Sequence, residues 1–137
     1  MPSVGSNGQP GYLHPMDRRS LTYGALSGFI AVGAGAFGAH ALRERLTPDL
    51  LAVFETGARY QMYHALALLA ISFGNNGGSR WVHWAVRTFV IGTILFSGSL
   101  YLLALTGARW WGAVTPLGGI AFLSGWGCLA VAGWRRQ

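Results

Sequence analysis

The chain has 137 residues, of which 52% are apolar and only 10% charged, against roughly a quarter charged in an average globular domain; that balance excludes an ordinary soluble domain. The net charge of +6 comes from ten arginines against four acids. The arginines are scattered between apolar blocks with no basic face or run, which excludes a nucleic-acid surface. The lone Cys128 lies inside an apolar block and can form neither an intramolecular disulfide nor a cysteine metal cluster.

Residues 1–15 are rich in Gly, Pro, Ser and Asn and have no apolar period, so a disordered tail is predicted over 1–17, before a single four-helix domain over 18–137. Met16, followed by Asp17-Arg18-Arg19, reads as the natural start of a membrane protein.

The first span is predicted over 21–42, about 22 residues without a charge, enough for a hydrocarbon core of roughly 30 Å. A signal peptide is the rival reading, with Arg18-Arg19 as its basic end and Ala39-His40-Ala41 as a small-x-small cleavage site. The block is long for that role, and its surface is patterned for packing. At about 100° per residue, Gly24, Gly28, Ala31, Gly35, Gly38 and Leu42 share one stripe. Small residues so spaced let a second helix approach closely, which is how helices associate inside lipid.

A second helix is predicted over 50–74. Thr47-Pro48-Asp49 opens it, with a capping hydroxyl, Pro at the first position and an acid in the first turn. Its first half is amphipathic, with Glu55 and Arg59 four apart in the order that favours an ion pair. Only Met62 to Phe73 is free of charge, too short to cross alone. The segment 74–79 is a Gly/Asn/Ser loop. The third span is predicted over 81–105, with Arg87 able to snorkel back to the headgroups and Thr106-Gly107 as its stop. The fourth, over 115–134, opens at Thr115-Pro116 and stops at Arg135-Arg136. Trp81, Trp84, Trp110, Trp111 and Trp134 fall near span ends, as interfacial anchors do; Trp126 is mid-span and expected to be packed.

The fold class is therefore an all-α membrane protein, a four-transmembrane-helix bundle with a long, partly amphipathic second helix. Four crossings put both termini on one side. Arg18, Arg19, Arg80, Arg87, Arg135 and Arg136 share that side, and Arg43, Arg45, Arg59 and Arg109 the other, which favours cytoplasmic termini in a bacterial inner (plasma) membrane.

Several motifs recur in order: Gly35-Ala36-Phe37-Gly38-Ala39-His40, Thr56-Gly57 with Arg59-Tyr60-Gln61-x-x-His64, Phe96-Ser97-Gly98-Ser99-x-Tyr101, and Thr115-Pro116-Leu117-Gly118-Gly119 with Gly125-Trp126. Together they resemble the YgdD/YwdK-like family of small inner-membrane proteins, whose domain carries the unknown-function number 423 and to which transmembrane protein 256 of animals is related. The resemblance covers roughly Leu21 to Arg135 and leaves out the tail. It implies a four-helix integral membrane protein. It implies no activity, cofactor or catalytic residue.

The candidate functional residues are the polar cluster His40, Glu55, Arg59, Tyr60, Gln61 and His64. His40 and Glu44 are one turn apart, but two ligands do not make a metal site, and a helix-end His bonded to backbone or water is the simpler reading. His64 follows Tyr60 by one turn, with Gln61 adjacent. An ionisable side chain inside a membrane is a functional candidate because burying it is costly; a structural hydrogen bond between helices, worth about 0.6–2 kcal/mol, is the simpler alternative. Glu55 is nine residues from His64 and points about 180° away, so the two cannot hold one ligand. Glu55 and Arg59 are expected to form an ion pair at the membrane interface; inside the hydrocarbon the pair would have to be covered and would mark a cavity between helices. Gly24, Gly28, Gly35, Gly38, Gly98, Gly118 and Gly119 are expected at helix contacts, and Ser97 and Ser99 to serve packing rather than nucleophilic attack. No Gly-x-Ser-x-Gly turn or phosphate loop occurs.

These features predict no enzyme, no cofactor and no metal. They predict a structural, accessory or partner-binding membrane component in contact with the lipid bilayer, as a homo-oligomer or with a membrane-protein partner. The alternative is an oligomeric transporter or channel for a small solute or protons, using the polar cluster, with Gly57 interrupting a short hydrophobic stretch as in transporter sites.

Overall fold

The computed structural model describes residues 17–74 and 78–135. The expected tail up to Met16, the Met16 start, the middle of the 74–79 loop and Arg136 lie outside these residues; Asp17, the last residue of that expected tail, is described and caps α1. Among the described residues, four helices make up the fold. Helix α1 runs Arg18–Phe37 and is extended by a π-helical turn, Gly38–Leu42. Helix α2 is Pro48–Phe73. Helix α3 is Arg80–Thr106, with a π-helical turn at Thr93–Ser97. Helix α4 is Thr115–Trp134, preceded by a 3-10 turn at Arg109–Ala113. Among the described residues, three stretches are long and apolar enough to cross a membrane: Arg18–Leu42, Arg80–Thr106 and Arg109–Trp134. Helix α2 has the length, at 26 residues, but its polar residues deny it the hydropathy.

Local chemistry explains the helix ends. Asp17 caps α1, its carboxylate accepting from the Arg19 amide at 3.1 Å and the Ser20 hydroxyl at 2.5 Å. The Ser20 bond, reinforced by backbone amides, holds the Asp17 carboxyl below the ordinary aspartate value against an opposing effect of burial. Thr47 caps α2 by accepting from the Leu50 amide at 3.4 Å, with Pro48 in the first turn. Gly107 ends α3 in the left-handed conformation, φ 69°, where a side chain would be strained, and its amide donates to the Leu103 carbonyl at 2.9 Å.

The helices pack as two hairpins, α1 against α2 and α3 against α4, joined where α2 meets the π turn and C-terminal half of α3. The Asp17 amide donates to the Ser72 carbonyl at 3.2 Å, so the start of α1 is fastened to the end of α2 and the two run antiparallel. Leu68, Ile71, Val82, Val86, Phe89, Phe122 and Ala132 form the larger core cluster; Leu42, Phe54 and Ala104 form a second beneath the α1–α2 turn.

The glycines divide sharply. A Cβ on Gly118 would lie 2.3 Å from the Phe96 backbone nitrogen, one on Gly24 2.9 Å from the Leu69 side chain, and one on Gly38 3.2 Å from the Phe54 ring. Gly28 is in ordinary contact distance of Ala65. Gly35, Gly98 and Gly119 face open space, so these three make no close helix contact within the chain, contrary to expectation. All three are half-buried with room for a side chain, which spacing alone does not distinguish from a close contact. Gly57 does not interrupt α2 either. It is buried, and a Cβ there would lie 3.0 Å from the Tyr101 ring, so it serves the approach of α3.

Candidate functional site

The six polar residues singled out in the sequence do not converge. They sit on three separate parts of the surface and core. His40 is exposed on the π turn that ends α1, as is Glu44 just beyond it. Among the described residues, no three of His, Cys, Asp and Glu come together as metal ligands.

Gln61 and His64 point inward from α2, each 4% exposed. The Gln61 amide nitrogen donates to the Ser27 carbonyl of α1 at 3.2 Å, and its oxygen accepts from the Tyr101 hydroxyl of α3 at 2.8 Å. One amide therefore ties three helices. Its fork can do this because it carries both a donor and an acceptor. Gly57, one turn earlier, leaves room for the Tyr101 ring.

His64 makes two bonds that fix its tautomer. Nδ1 lies 2.7 Å from the Tyr60 carbonyl, which can only accept, so Nδ1 carries the proton. Nε2 then accepts from the indole Nε1 of Trp126 on α4 at 3.2 Å. The ring stacks on Phe122 with centroids 3.5 Å apart and planes 4° from parallel, and meets Phe89 edge-on at 5.1 Å. Both nitrogens are occupied and the ring is buried against Phe122 and Phe89. This is a neutral imidazole held as a joint between α2, α3 and α4.

Tyr60 is 40% exposed and packs its ring on Phe96 at 4.9 Å. Glu55 and Arg59 are exposed on the outer face of α2. With Ala31, Gly35 and Ala58 they line a shallow groove between α1 and α2. The expected ion pair is not made: among the described residues neither has a hydrogen-bond or ion-pair partner. The (i, i+4) order permits a pair but does not enforce one, because two long side chains lose rotamer freedom in forming it.

Sequence reasoning missed the partners rather than the polar residues. Tyr101 was visible only as part of a motif; an aromatic hydroxyl in mid-span was the available signal, since a buried phenol needs an acceptor. Trp126 is 49% exposed, yet its indole nitrogen turns inward to His64. The π turn at Thr93–Ser97 had no sequence signature. The hydroxyls of Thr93 and Ser97 in it, and of Ser27 on α1, are buried without hydrogen-bond partners. At one end of the bundle, Arg80 and Arg135 both lie over the Trp81 ring, at 5.2 and 5.4 Å from its centre.

Residues 34–119 match the family described as protein of unknown function DUF423. The chain is 47% identical over 112 residues to a UPF0382 membrane protein of Staphylococcus epidermidis, covering 82% of this chain and 92% of the relative. It is 43% identical over 121 residues to the UPF0382 inner membrane protein YgdD of Escherichia coli K12, covering 88% and 92%. No solved structure matches it. With relatives this similar along most of both chains, the protein belongs to the DUF423/UPF0382 family of small membrane proteins of unknown biochemical function.

Proposed function

We propose that this protein is a non-catalytic component of the bacterial inner membrane that crosses it four times and works by binding another protein along α2. One observation carries the reading: Glu55 and Arg59 stand exposed and unpaired beside the C-terminal half of α1, in a groove with Ala31 and Gly35. At 1.5 Å per residue, Ala31 is about 16 Å and Gly35 about 10 Å from the Leu42 end of α1. Helix α2 runs antiparallel to α1 from Ser72 beside Asp17 to Phe54 beside Gly38, which supports α2 as the fourth crossing. Two charges at that depth facing lipid would be costly. A protein partner covering them removes that cost.

A transport pathway is the weaker reading, because the polar residues split between two faces of α2 and His64 has no free nitrogen for a proton. Arg80 and Arg135 gathered at Trp81, with Arg18 and Arg19 on the same side by helix count, support cytoplasmic termini. The test is a photo-crosslinking amino acid at Ala52 or Ala70, on the exposed face of α2, in intact membranes. The reading expects a crosslinked protein product. Crosslinks to lipid alone would sink it.

A further inference from the structure

The exposed face of α2 has a definite pattern. Ala52, Glu55, Arg59, Leu66 and Phe73 are exposed, with Met62 and Leu69 half-buried among them. Their spacings alternate three and four residues through the whole helix. That is the seam of a heptad, the repeat with which two helices pack side by side along their length. Leu69 packs on Gly24 of α1 at one edge of this seam, while Ala52, Glu55, Arg59, Leu66 and Phe73 stay exposed.

Charge says what covers them. The seam carries one acid and one base a single turn apart, so its net charge is zero and it is complementary to itself. Copies of one chain inserted the same way are related by an axis along the membrane normal, and a two-fold axis sets the two α2 helices parallel and in register. Helical side chains lean toward the N-terminus, so Arg59 of each copy reaches back toward the level of Glu55 of the other. Four charges then close into a neutral ring of two crossed pairs. The groove beside Ala31 and Gly35, where no Cβ projects from Gly35, lets the second helix sit close.

We propose that the occupant of this face is a second copy of the same chain, in a two-fold dimer along α2 locked by Glu55–Arg59 pairs between copies. This rests on the reading of α2 as a membrane-buried interface and adds the identity of the partner. The geometry also explains why the pair is unmade within one chain: each charge is held for the other copy.

The test uses two differently tagged full-length copies expressed in one membrane and recovered by one tag. Wild-type copies are expected to co-purify. E55R or R59E alone creates a seam of one sign and should lower self-recovery by roughly tenfold. The double variant E55R/R59E should recover it, and E55R should pair with R59E although neither pairs with itself. A heterologous partner would not be regained by the double swap. Should the reversed variants fail to insert, L66C in a C128S background keeps the native charges, and its symmetric disulfide is expected on mild oxidation. Absence of both wild-type co-purification and the L66C disulfide would overturn the dimer. If Ala52 or Ala70 photo-crosslinks then gave a product with a different protein, the dimer would fall while the interface reading stood; crosslinks to lipid alone would remove both.

Discussion

Helix α2 carries polar groups on two opposite faces. On the inner face, Gln61 and His64 reach partners on α1, α3 and α4. On the outer face, Glu55 and Arg59 reach none. The inner groups are neutral amide and imidazole, whose donors and acceptors other helices can match one for one. The outer groups are full charges, and among the described residues neither forms an ion pair. The contrast separates polar residues that hold the fold from polar residues the fold leaves for something outside it.

Replacing glycines tests the inner side most severely. Gly118→Ala puts a methyl into the Phe96 backbone and is expected to lower thermal stability in lipid nanodiscs by about 3 kcal/mol. Gly119→Ala, one residue on and open, should stay within about 0.5 kcal/mol. Equal losses would mean that α3 and α4 do not meet as described.

The Gln61 joint comes next. Gln61→Met keeps the volume but leaves the Tyr101 hydroxyl without a partner and removes the side-chain bond to the Ser27 carbonyl, and should cost about 1–2 kcal/mol. Tyr101→Phe should cost about 1 kcal/mol, and the double variant less than the sum, because both remove one bond. A fully additive double-mutant cycle would show that the two side chains are not coupled.

The smallest expected effect is at the α1 cap. Asp17→Ala should cost about 1 kcal/mol near neutral pH. Asp17 has its pKa lowered in the fold, so its contribution is present above the unfolded aspartate value and lost as pH falls through the lower folded value. The stability gap between wild type and Asp17→Ala should therefore close on acidification below about pH 4. A gap that widened in acid would contradict the capping geometry.

Much of the fold is legible in the residues. Thr47-Pro48 and Thr106-Gly107 mark helix ends through capping and left-handed glycine chemistry, and three apolar stretches declare themselves by length. What stays hidden depends on partners distant in sequence. A glycine stripe is the same whether it meets a helix or faces outward, so Gly24 and Gly35 look alike until Leu69 is found beside one and nothing beside the other. Gln61 and Tyr101 are forty positions apart, and no local periodicity relates them. The charged pair illustrates the reverse: favourable spacing on one helix predicts a bond, while among the described residues both ends are unbound.

Whether the outer charges lie within the membrane decides the account. The most direct measurement is the bilayer depth of a spin label at Thr56→Cys, between Glu55 and Arg59, in a Cys128→Ser background, from the ratio of oxygen to nickel-complex collisions. The account predicts the hydrocarbon depth of a label at Gly33→Cys on the facing stretch of α1. A depth matching a label at Arg43→Cys, beyond the end of α1, would contradict it.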